Sequence, residues 1–194
     1  MTKSKKIIVF DLDETLIHAT KSKLDINEDF RYQDFYVYKR PNLATFLEGC
    51  SKFCSIAIWS SADDEYVNNL VNKIAPKSVD FEFVWGRSEC WMKVVSIEEP
   101  ETGLKRKEYQ NIKPLEKVRR KGFKMNNLLI IDDSHYKVKD NPENFFIIQP
   151  FEGNQEDNEL ISLLAYLKVV IEQDDFVGIK REHWKEIAST RKPK

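Results

Sequence analysis

The sequence lacks any hydrophobic run long enough to cross a membrane, and its first apolar stretch, Ile7–Phe10, has four residues and is followed by acids. Cysteine is scarce, and Cys50, Cys54 and Cys90 form an odd set without a Cys-x-x-Cys pair or a Cys/His ligand pattern. These shortages argue against a membrane protein, a disulfide scaffold and a zinc site. We therefore expect an intracellular protein, cytoplasmic or nuclear, with reduced thiols.

Neither sign of charge is in excess, because 31 Lys and Arg residues stand against 32 Asp and Glu residues, which gives a net charge of −1. Proteins that bind nucleic acid or membrane surfaces usually carry a basic excess. The near balance argues against both as a general function. The basic stretch at 103–124, "GLKRKEYQNIKPLEKVRRKGFK", leaves a local nucleic-acid contact open, although a solvated hairpin and helix explain it better.

The six glycines and seven prolines are scattered, and no repeat, linker or low-complexity segment divides the chain. We expect one domain over residues 1–194, large enough to bury roughly 70% of its unfolded surface. Buried-strand patterns alternate with helical patterns, which predicts a parallel sheet flanked by helices. Short inserts at about 14–40 and 90–112 interrupt this alternation, and each contains a predicted hairpin, the second with its turn at "EPETG".

The predicted strands are residues 6–11, residues 54–60, "VDFEFVWG", "NNLLIIDDS" and "NFFIIQPF". The predicted helices run from Pro41 to about Ser51, from Asp63 to Ile74, from Pro114 to Lys121 and through "EDNELISLLAYLKVVIEQ". Three of these strands end in polar side chains. The three groups are Asp11 with Asp13, Ser60 with Ser61, and Asp132 with Asp133.

Ligands of open α/β sheets bind at the carboxyl ends of the strands, so these polar groups should converge. Converging carboxylates repel each other unless a cation lies between them, and oxygen-only ligands favour Mg²⁺. A lone Asp after a strand more often caps the next loop. Three such groups in this order favour instead a site for a metal and a phosphate, in which one of Asp11 and Asp13 can serve as nucleophile and the other as proton carrier.

The segment "VFDLDETL" resembles the first motif, DxDx(T/V), of the haloacid dehalogenase superfamily. Together with "YVYKRPNLATFL", "IAIWSSADDEYVNNLV", "GRSEC", "LLIIDDS" and "IIQPFEGN…DNEL", the chain resembles the branch of C-terminal-domain phosphatases, or NLI-interacting-factor-like phosphatases. The resemblance covers nearly the whole chain. It implies a Rossmann-like core without a large cap domain, and Mg²⁺-dependent phosphomonoester hydrolysis through an aspartyl-phosphate on phosphoserine or phosphothreonine.

The resemblance also implies roles for individual residues. Asp11 would be the nucleophile, Asp13 the general acid and base, Ser60 a hydrogen-bond partner of the phosphoryl group and Lys113 its charge partner. The implied metal ligands are Asp11, Asp13 through its backbone carbonyl, Asp132 and Asp133. The residues implied on the substrate side are Thr15, which supports the first loop, Ser61, which competes with Ser60 for the inward position, and Arg87 near the entrance.

Three functions remain open from the sequence. The resemblance favours a protein serine/threonine phosphatase, and a phosphatase for nucleotides or nucleic-acid ends is the alternative on the same fold. A non-catalytic scaffold is the third, but a scaffold has no physical reason to hold repelling carboxylates together. The natural substrate and the oligomeric state are open, and no membrane partner is expected.

Overall fold

The structure is a computed structural model that describes residues 5–99, 103–138 and 140–190. The strands are β1 Ile7–Phe10, β2 Ile17–Thr20, β3 Phe30–Tyr32, β4 Phe35–Lys39, β5 Ser55–Trp59, β6 Val84–Trp85, β7 Trp91–Glu98, β8 Lys105–Ile112, β9 Leu128–Asp132 and β10 Phe145–Ile147. The helices are α1 Leu43–Ser51, α2 Asp64–Ile74, α3 Glu116–Arg120, α4 Glu159–Val170 and α5 Trp184–Thr190. In this part of the chain, no helix combines the length and the apolar character needed to cross a membrane.

Five parallel strands form the central sheet in the order β10-β9-β1-β5-β6. Strand β1 lies in the middle, and all four of its residues are buried, as a continuous apolar run predicts for a strand covered on both faces. Ile8 and Phe10 pack in the larger core with α1, α2 and α4, whereas Ile7 and Val9 pack with α3 on the other face. The predicted α/β architecture is confirmed.

The order of the strands reverses at β1, because the chain adds β5 and β6 on one side and β9 and β10 on the other. The switch point therefore lies between β1 and β9 at their carboxyl ends. Such a point is where open α/β sheets bind ligands, since the connections on its two sides diverge and leave a crevice. Asp11 follows β1 and Asp132 ends β9, so both lie at this crevice.

Both inserts form antiparallel structure. The first is a three-stranded sheet with the order β2-β4-β3, one strand more than the predicted hairpin, and the second is the hairpin β7–β8. The predicted turn "EPETG" lies largely outside the described residues, which include only its ends, Glu99 and Gly103. The residues that are described contain no cap larger than these two inserts, in agreement with the expected short-insert architecture.

Besides the first insert, three elements differ from the sequence-based prediction, and one is the last strand, where "NFFIIQPF" forms β10 over Phe145–Ile147 only. The run "VDFEFVWG" forms a strand only at β6, whose two residues pair with Ile58 and Trp59 of β5. Helix α5 was not predicted. It is held by tertiary contacts, since the ring of Trp184 packs edge-on against Phe146 and Tyr166 at 5.5 and 5.8 Å between centroids.

Arg40 links the loop after β1 to the segment after β10. Its buried guanidinium forms two hydrogen bonds to the Asp157 carboxylate, at 3.0 and 2.9 Å. It also donates to the carbonyls of Thr15 at 3.0 Å and Gln149 at 2.9 Å. Partial burial raises the pKa of Asp157, but the hydrogen bonds that its carboxylate accepts from Arg40 and from the backbone N–H of Glu159 outweigh burial and lower the pKa.

We expect Arg40→Met to lower the free energy of unfolding by about 3–5 kcal/mol at pH 7, because it leaves a carboxylate and two carbonyls without their donor. Urea denaturation measures this difference. Because the pKa of Asp157 is lowered in the folded protein, its ion pair with Arg40 contributes fully to stability above pH 3.8. This contribution is lost as the pH falls through the folded pKa. The difference should therefore shrink in acid. Arg31→Met, at an exposed arginine beside Glu28, is the control and should cost less than about 1 kcal/mol. A difference at Arg40 no larger than this would contradict the prediction.

Candidate active site

A buried lysine joins two carboxylates at the switch point. Lys113 follows directly after β8, and its Nζ donates to Asp11 Oδ1 at 2.5 Å and to Asp132 Oδ2 at 2.6 Å. The three residues are no more than 1% exposed. The backbone N–H of Asp11 donates to the carbonyl of Ile131 at 2.9 Å and fixes the chain as it leaves β1. The structure thus brings together three residues that lie far apart in the sequence.

A second lysine, which sequence reasoning missed, lies on the other side of the same carboxylates. Lys137 belongs to the short 3₁₀ turn His135–Val138, and its Nζ lies 3.3 Å from Asp11 Oδ2 and 3.1 Å from Asp132 Oδ1. It also lies 3.6 Å from Asp133 Oδ1. The four-residue spacing between Asp133 and Lys137 was the one available signal, because a turn of helix brings such residues to the same side.

The environment separates the pKa values of the two central carboxyl groups. Burial, followed by the charge of Asp132, raises the pKa of Asp11 to about 6 against the attraction of Lys113 and Lys137. Burial acts in the same direction on Asp132, but there the two lysines outweigh it and lower the pKa. Burial also raises the pKa of Asp133. Asp132 therefore carries its charge more firmly than Asp11, and further positive charge would favour ionised Asp11.

The Asp13 carboxylate is held by two hydroxyl groups, away from the two lysines. The phenol of Tyr66 on α2 donates to Asp13 Oδ1 at 2.6 Å, and Ser60 Oγ donates to Asp13 Oδ2 at 3.2 Å. Ser60 Oγ in turn accepts from the N–H of Ala62 at 3.0 Å. Burial, reinforced by Asp13, raises the pKa of Tyr66, so the phenol keeps its proton and donates. Tyr66 was not predicted, since its direction depends on how α2 packs.

A groove of about 460 Å³ opens at Asp13. Tyr32 and Phe35 from the first insert and Tyr66 from α2 form an aromatic wall, with ring centroids 5.7 and 6.0 Å from that of Tyr66. Arg87 stands exposed at the rim. The groove therefore joins a candidate reactive carboxylate to apolar surface, and Arg87 is matched in its lining by the acids Glu14, Asp63 and Glu65. This combination suits a substrate with an apolar part.

The other predicted substrate residues have different surroundings. The backbone carbonyl of Ser61 accepts a hydrogen bond from Arg87 Nε at 2.9 Å, so Ser61 holds the rim arginine through its backbone. Thr15 is completely buried and is not part of the groove wall. Its hydroxyl has no hydrogen-bond partner among the described residues, while its carbonyl accepts from Arg40. These surroundings suit support of the first loop.

The acidic residues fit a hard cation. Asp11, Asp132 and Asp133 each offer a carboxylate oxygen, and these atoms lie within 4.8 Å of one another. An all-oxygen donor set is what Mg²⁺ prefers. The ammonium group of Lys137 lies among the same three carboxylates, which shows that positive charge is accommodated there. The Asp13 side chain is outside this cluster, and metal binding through its backbone carbonyl stays a prediction.

The strand order and the acidic groups after β1 and β9 resemble those of the haloacid dehalogenase class of α/β proteins. More narrowly, the chain belongs to the family of NLI interacting factor-like phosphatases, whose sequence model matches residues 6–177. The predicted family is therefore confirmed.

Individual relatives are distant in sequence. The chain is 24% identical over 196 residues to Ubiquitin-like domain-containing CTD phosphatase 1 of Gallus gallus and of Homo sapiens, covering 96% of this chain and 56% of each relative. It is 24% identical over 174 residues to Phosphatase PSR1 of Saccharomyces cerevisiae, covering 86% of this chain and 36% of the relative. The chain thus spans about half or less of the length of these relatives.

A solved structure shares the fold. The fission yeast RNA polymerase II CTD phosphatase Fcp1, in a variant bound to beryllium fluoride, superimposes with a TM-score of 0.53 at 15% identity. The match covers 96% of this chain and 61% of that structure. At this identity the likeness shows a common α/β fold and carries no residue roles.

Proposed function

We propose that the chain is a Mg²⁺-dependent phosphomonoesterase that acts on phosphoserine or phosphothreonine within a protein segment. The observation that carries the proposal is the buried Asp11 at the end of the central strand, bonded to Lys113 and adjacent to Asp132 and Asp133. Membership of a phosphatase family supports it. Relatives that are named CTD phosphatases support a phosphoprotein as the substrate class.

In the first step, a carboxylate oxygen of Asp11 attacks phosphorus and forms the P–O bond of an aspartyl-phosphate. The bond between phosphorus and the substrate oxygen breaks, and Asp13 gives that oxygen its proton, which releases the alcohol of serine or threonine. Lys113 balances charge on the phosphoryl oxygens. The hydroxyl of Ser60, which is 3.2 Å from Asp13, lies where it can also meet a phosphoryl oxygen.

In the second step, Asp13 takes a proton from water while the water oxygen attacks phosphorus. The bond between phosphorus and Asp11 breaks, which restores both carboxyl groups and releases phosphate. Asp11, Asp132 and Asp133 would hold Mg²⁺, which supplies charge neutralisation when it is bound. Tyr66 keeps the Asp13 carboxylate in one orientation through both steps, whereas Ser60 can turn its single O–H proton from Asp13 to a phosphoryl oxygen.

The aromatic groove supports the peptide substrate. A phosphorylated side chain that reaches Asp13 would leave its neighbouring residues against Tyr32, Phe35 and Tyr66. Small inserts leave such a substrate room to approach, because no large lid covers the entrance within the described residues. Apolar contacts of this kind depend weakly on salt, in contrast to contacts with a polynucleotide.

We expect Phe35→Ala to raise KM for a phosphopeptide about tenfold with kcat little changed, because the lost contact is made equally in the ground and transition states. Loss of about 1.4 kcal/mol of apolar contact corresponds to this factor. Steady-state kinetics should show no change for an aryl phosphate. Phe30→Ala, in the same insert but outside the groove wall, is the matched control. If the KM for the phosphopeptide is the same in Phe35→Ala as in the wild type, the groove does not take part in substrate binding.

The alternative, a phosphatase for nucleic-acid ends, rests on Lys105, Arg106 and Lys107, which are exposed on β8, the strand that leads to Lys113. Neighbouring acids partly neutralise this positive charge, since Lys105 lies 3.8 Å from Glu98 and Arg106 lies 3.7 Å from Glu108. A phosphorylated protein segment is therefore the favoured substrate.

Replacing these three cations together by Ala tests the alternative. Each contact with a single strand would contribute about −0.7 to the slope of log K against log salt, so three contacts would flatten that slope by about two units. We expect almost no change in the salt slope and unchanged hydrolysis of an aryl phosphate. A steep slope for oligonucleotide binding by the wild type, lost in the triple variant, would favour the nucleic-acid function.

A further inference from the structure

The positive charge of Lys137 lies where a divalent cation would bind. The three carboxylates that its Nζ approaches, at 3.3, 3.1 and 3.6 Å, belong to Asp11, Asp132 and Asp133. These are the same three residues whose oxygens form the candidate metal cluster. Lys113 differs, because it touches only Asp11 and Asp132, through the oxygen of each that Lys137 does not contact.

The backbone of Lys137 is fixed even though its side chain is long. The carbonyl of Lys137 accepts a hydrogen bond from the N–H of Lys113 at 2.8 Å, and its N–H donates to Ser134 at 3.2 Å. The two lysines are thus joined at the backbone and placed on different oxygens of the same acids. An ammonium group on four methylenes can change position without a change in this backbone.

The site has an open side toward which the ammonium group can move. The Asp133 side chain is 18% exposed, whereas those of Asp11 and Asp132 are 1% and 0% exposed. A monovalent ammonium and a divalent cation cannot share the space between the same oxygens, since like charges a few ångströms apart repel by several kcal/mol even at an effective dielectric constant of about 20. Binding of one therefore requires displacement of the other.

We propose that Lys137 is a positioning residue that serves as a tethered cation: it holds Asp11, Asp132 and Asp133 together in the metal-free protein and must withdraw before Mg²⁺ binds. It thereby sets the concentration of Mg²⁺ at which the site fills. This inference rests on the proposed function and adds to it an internal competitor for the metal. Lys113 does not supply the same competition, because it contacts only Asp11 and Asp132, whereas Lys137 approaches all three acids.

The test is calorimetric titration of Mg²⁺ into the protein without substrate. Lys137→Met removes the competing charge while it retains the length of the side chain, and we expect it to bind Mg²⁺ about tenfold more tightly or better. The metal-free variant should melt at a lower temperature than the wild type and gain more from Mg²⁺, because its three acids have lost a partner. Lys117→Met, at a partly buried lysine paired with Glu89 at 2.8 Å, should behave like the wild type.

A second measurement uses the wild type alone, so it does not depend on whether the variant folds. An amine-acylating reagent followed by peptide mass spectrometry should label Lys137 faster when Mg²⁺ is present, while labelling of Lys117 stays constant. Equal Mg²⁺ affinities of the wild type and Lys137→Met, or unchanged labelling of Lys137, would overturn the role of Lys137 as a competitor and leave the proposed function intact. Failure of every protein to bind Mg²⁺ would contradict the metal-dependent function and this inference with it.

Discussion

Asp11→Asn should lower kcat by about 10⁴-fold or more while the protein remains folded. An amide is a poor nucleophile, so the variant cannot form the aspartyl-phosphate, and loss of a covalent nucleophile has effects of this size. Steady-state hydrolysis of an aryl phosphate and of a phosphopeptide in Mg²⁺ measures the loss. Both substrates should be affected alike, because both need the same attacking oxygen.

The folded state provides the control for Asp11→Asn. Burial and Asp132 raise the pKa of Asp11 to about 6 from its ordinary 3.8, so Asp11 contributes most to stability below pH 3.8 and this contribution is lost as the pH rises through 6. At pH 7 the buried charge is therefore unfavourable, and a neutral amide of the same shape relieves it. The metal-free variant should melt at or above the wild-type temperature. Inactivity with a large loss of stability would contradict this reasoning.

Asp13→Asn should fail differently from Asp11→Asn. The variant keeps its nucleophile but has no proton donor, so we expect a loss of about 10²–10⁴-fold on a serine phosphate, whose leaving oxygen must be protonated. The first step with an aryl phosphate should be affected much less, because an aryl oxide leaves without a proton. Equal first-step losses on the two substrates would reverse or remove the roles assigned to Asp11 and Asp13.

Removal of divalent metal is the second change with a large expected effect. We expect EDTA to abolish turnover and added Mg²⁺ to restore it. Without the metal, the negative charges of the three clustered carboxylates repel the phosphate that Asp11 must attack. Ca²⁺ should not restore activity, because its larger and looser ligand shell misplaces the nucleophile. Activity assays with each cation after dialysis measure this dependence.

The control for metal removal is the fold. Circular dichroism and the melting temperature should remain those of a folded protein in EDTA, because Lys113 and Lys137 still balance the acids. Full turnover in EDTA would contradict the proposed mechanism. Loss of the fold in EDTA would instead mean that the two lysines do not hold the acids together without metal.

The sequence was sufficient to predict that the acidic groups after β1 and β9 lie together. Asp11 and Asp132 lie directly at the ends of apolar runs. A parallel sheet places the carboxyl ends of neighbouring strands at one edge, irrespective of the loops and helices that connect them. Strand alternation also limited the inward position to Ser60 or Ser61, and the structure directs the hydroxyl of Ser60 to Asp13. Residue spacing predicts that the strand ends meet, whereas the preference for Ser60 over Ser61 came from the family resemblance.

The parts that were missed depend on tertiary packing. Tyr66 reaches Asp13 only because α2 packs beside β5 and β6 in one particular rotation, and Lys137 reaches Asp11 from a short turn that has no periodic pattern. Helix α5 is held by the aromatic contacts of Trp184 with residues distant in the sequence. Local propensity does not encode such contacts, so a single sequence gives little warning of them.

The measurement that tests the central claim most directly is mass spectrometry of the acid-quenched enzyme during turnover. In Asp13→Asn with an aryl phosphate and Mg²⁺, the first step proceeds and the second is slowed, so the phosphorylated enzyme should accumulate. The mechanism predicts one phosphoryl group on the peptide that contains Asp11, and none in Asp11→Asn. Substrate turnover without a phosphoryl group on Asp11, or with the group on another residue, would contradict it.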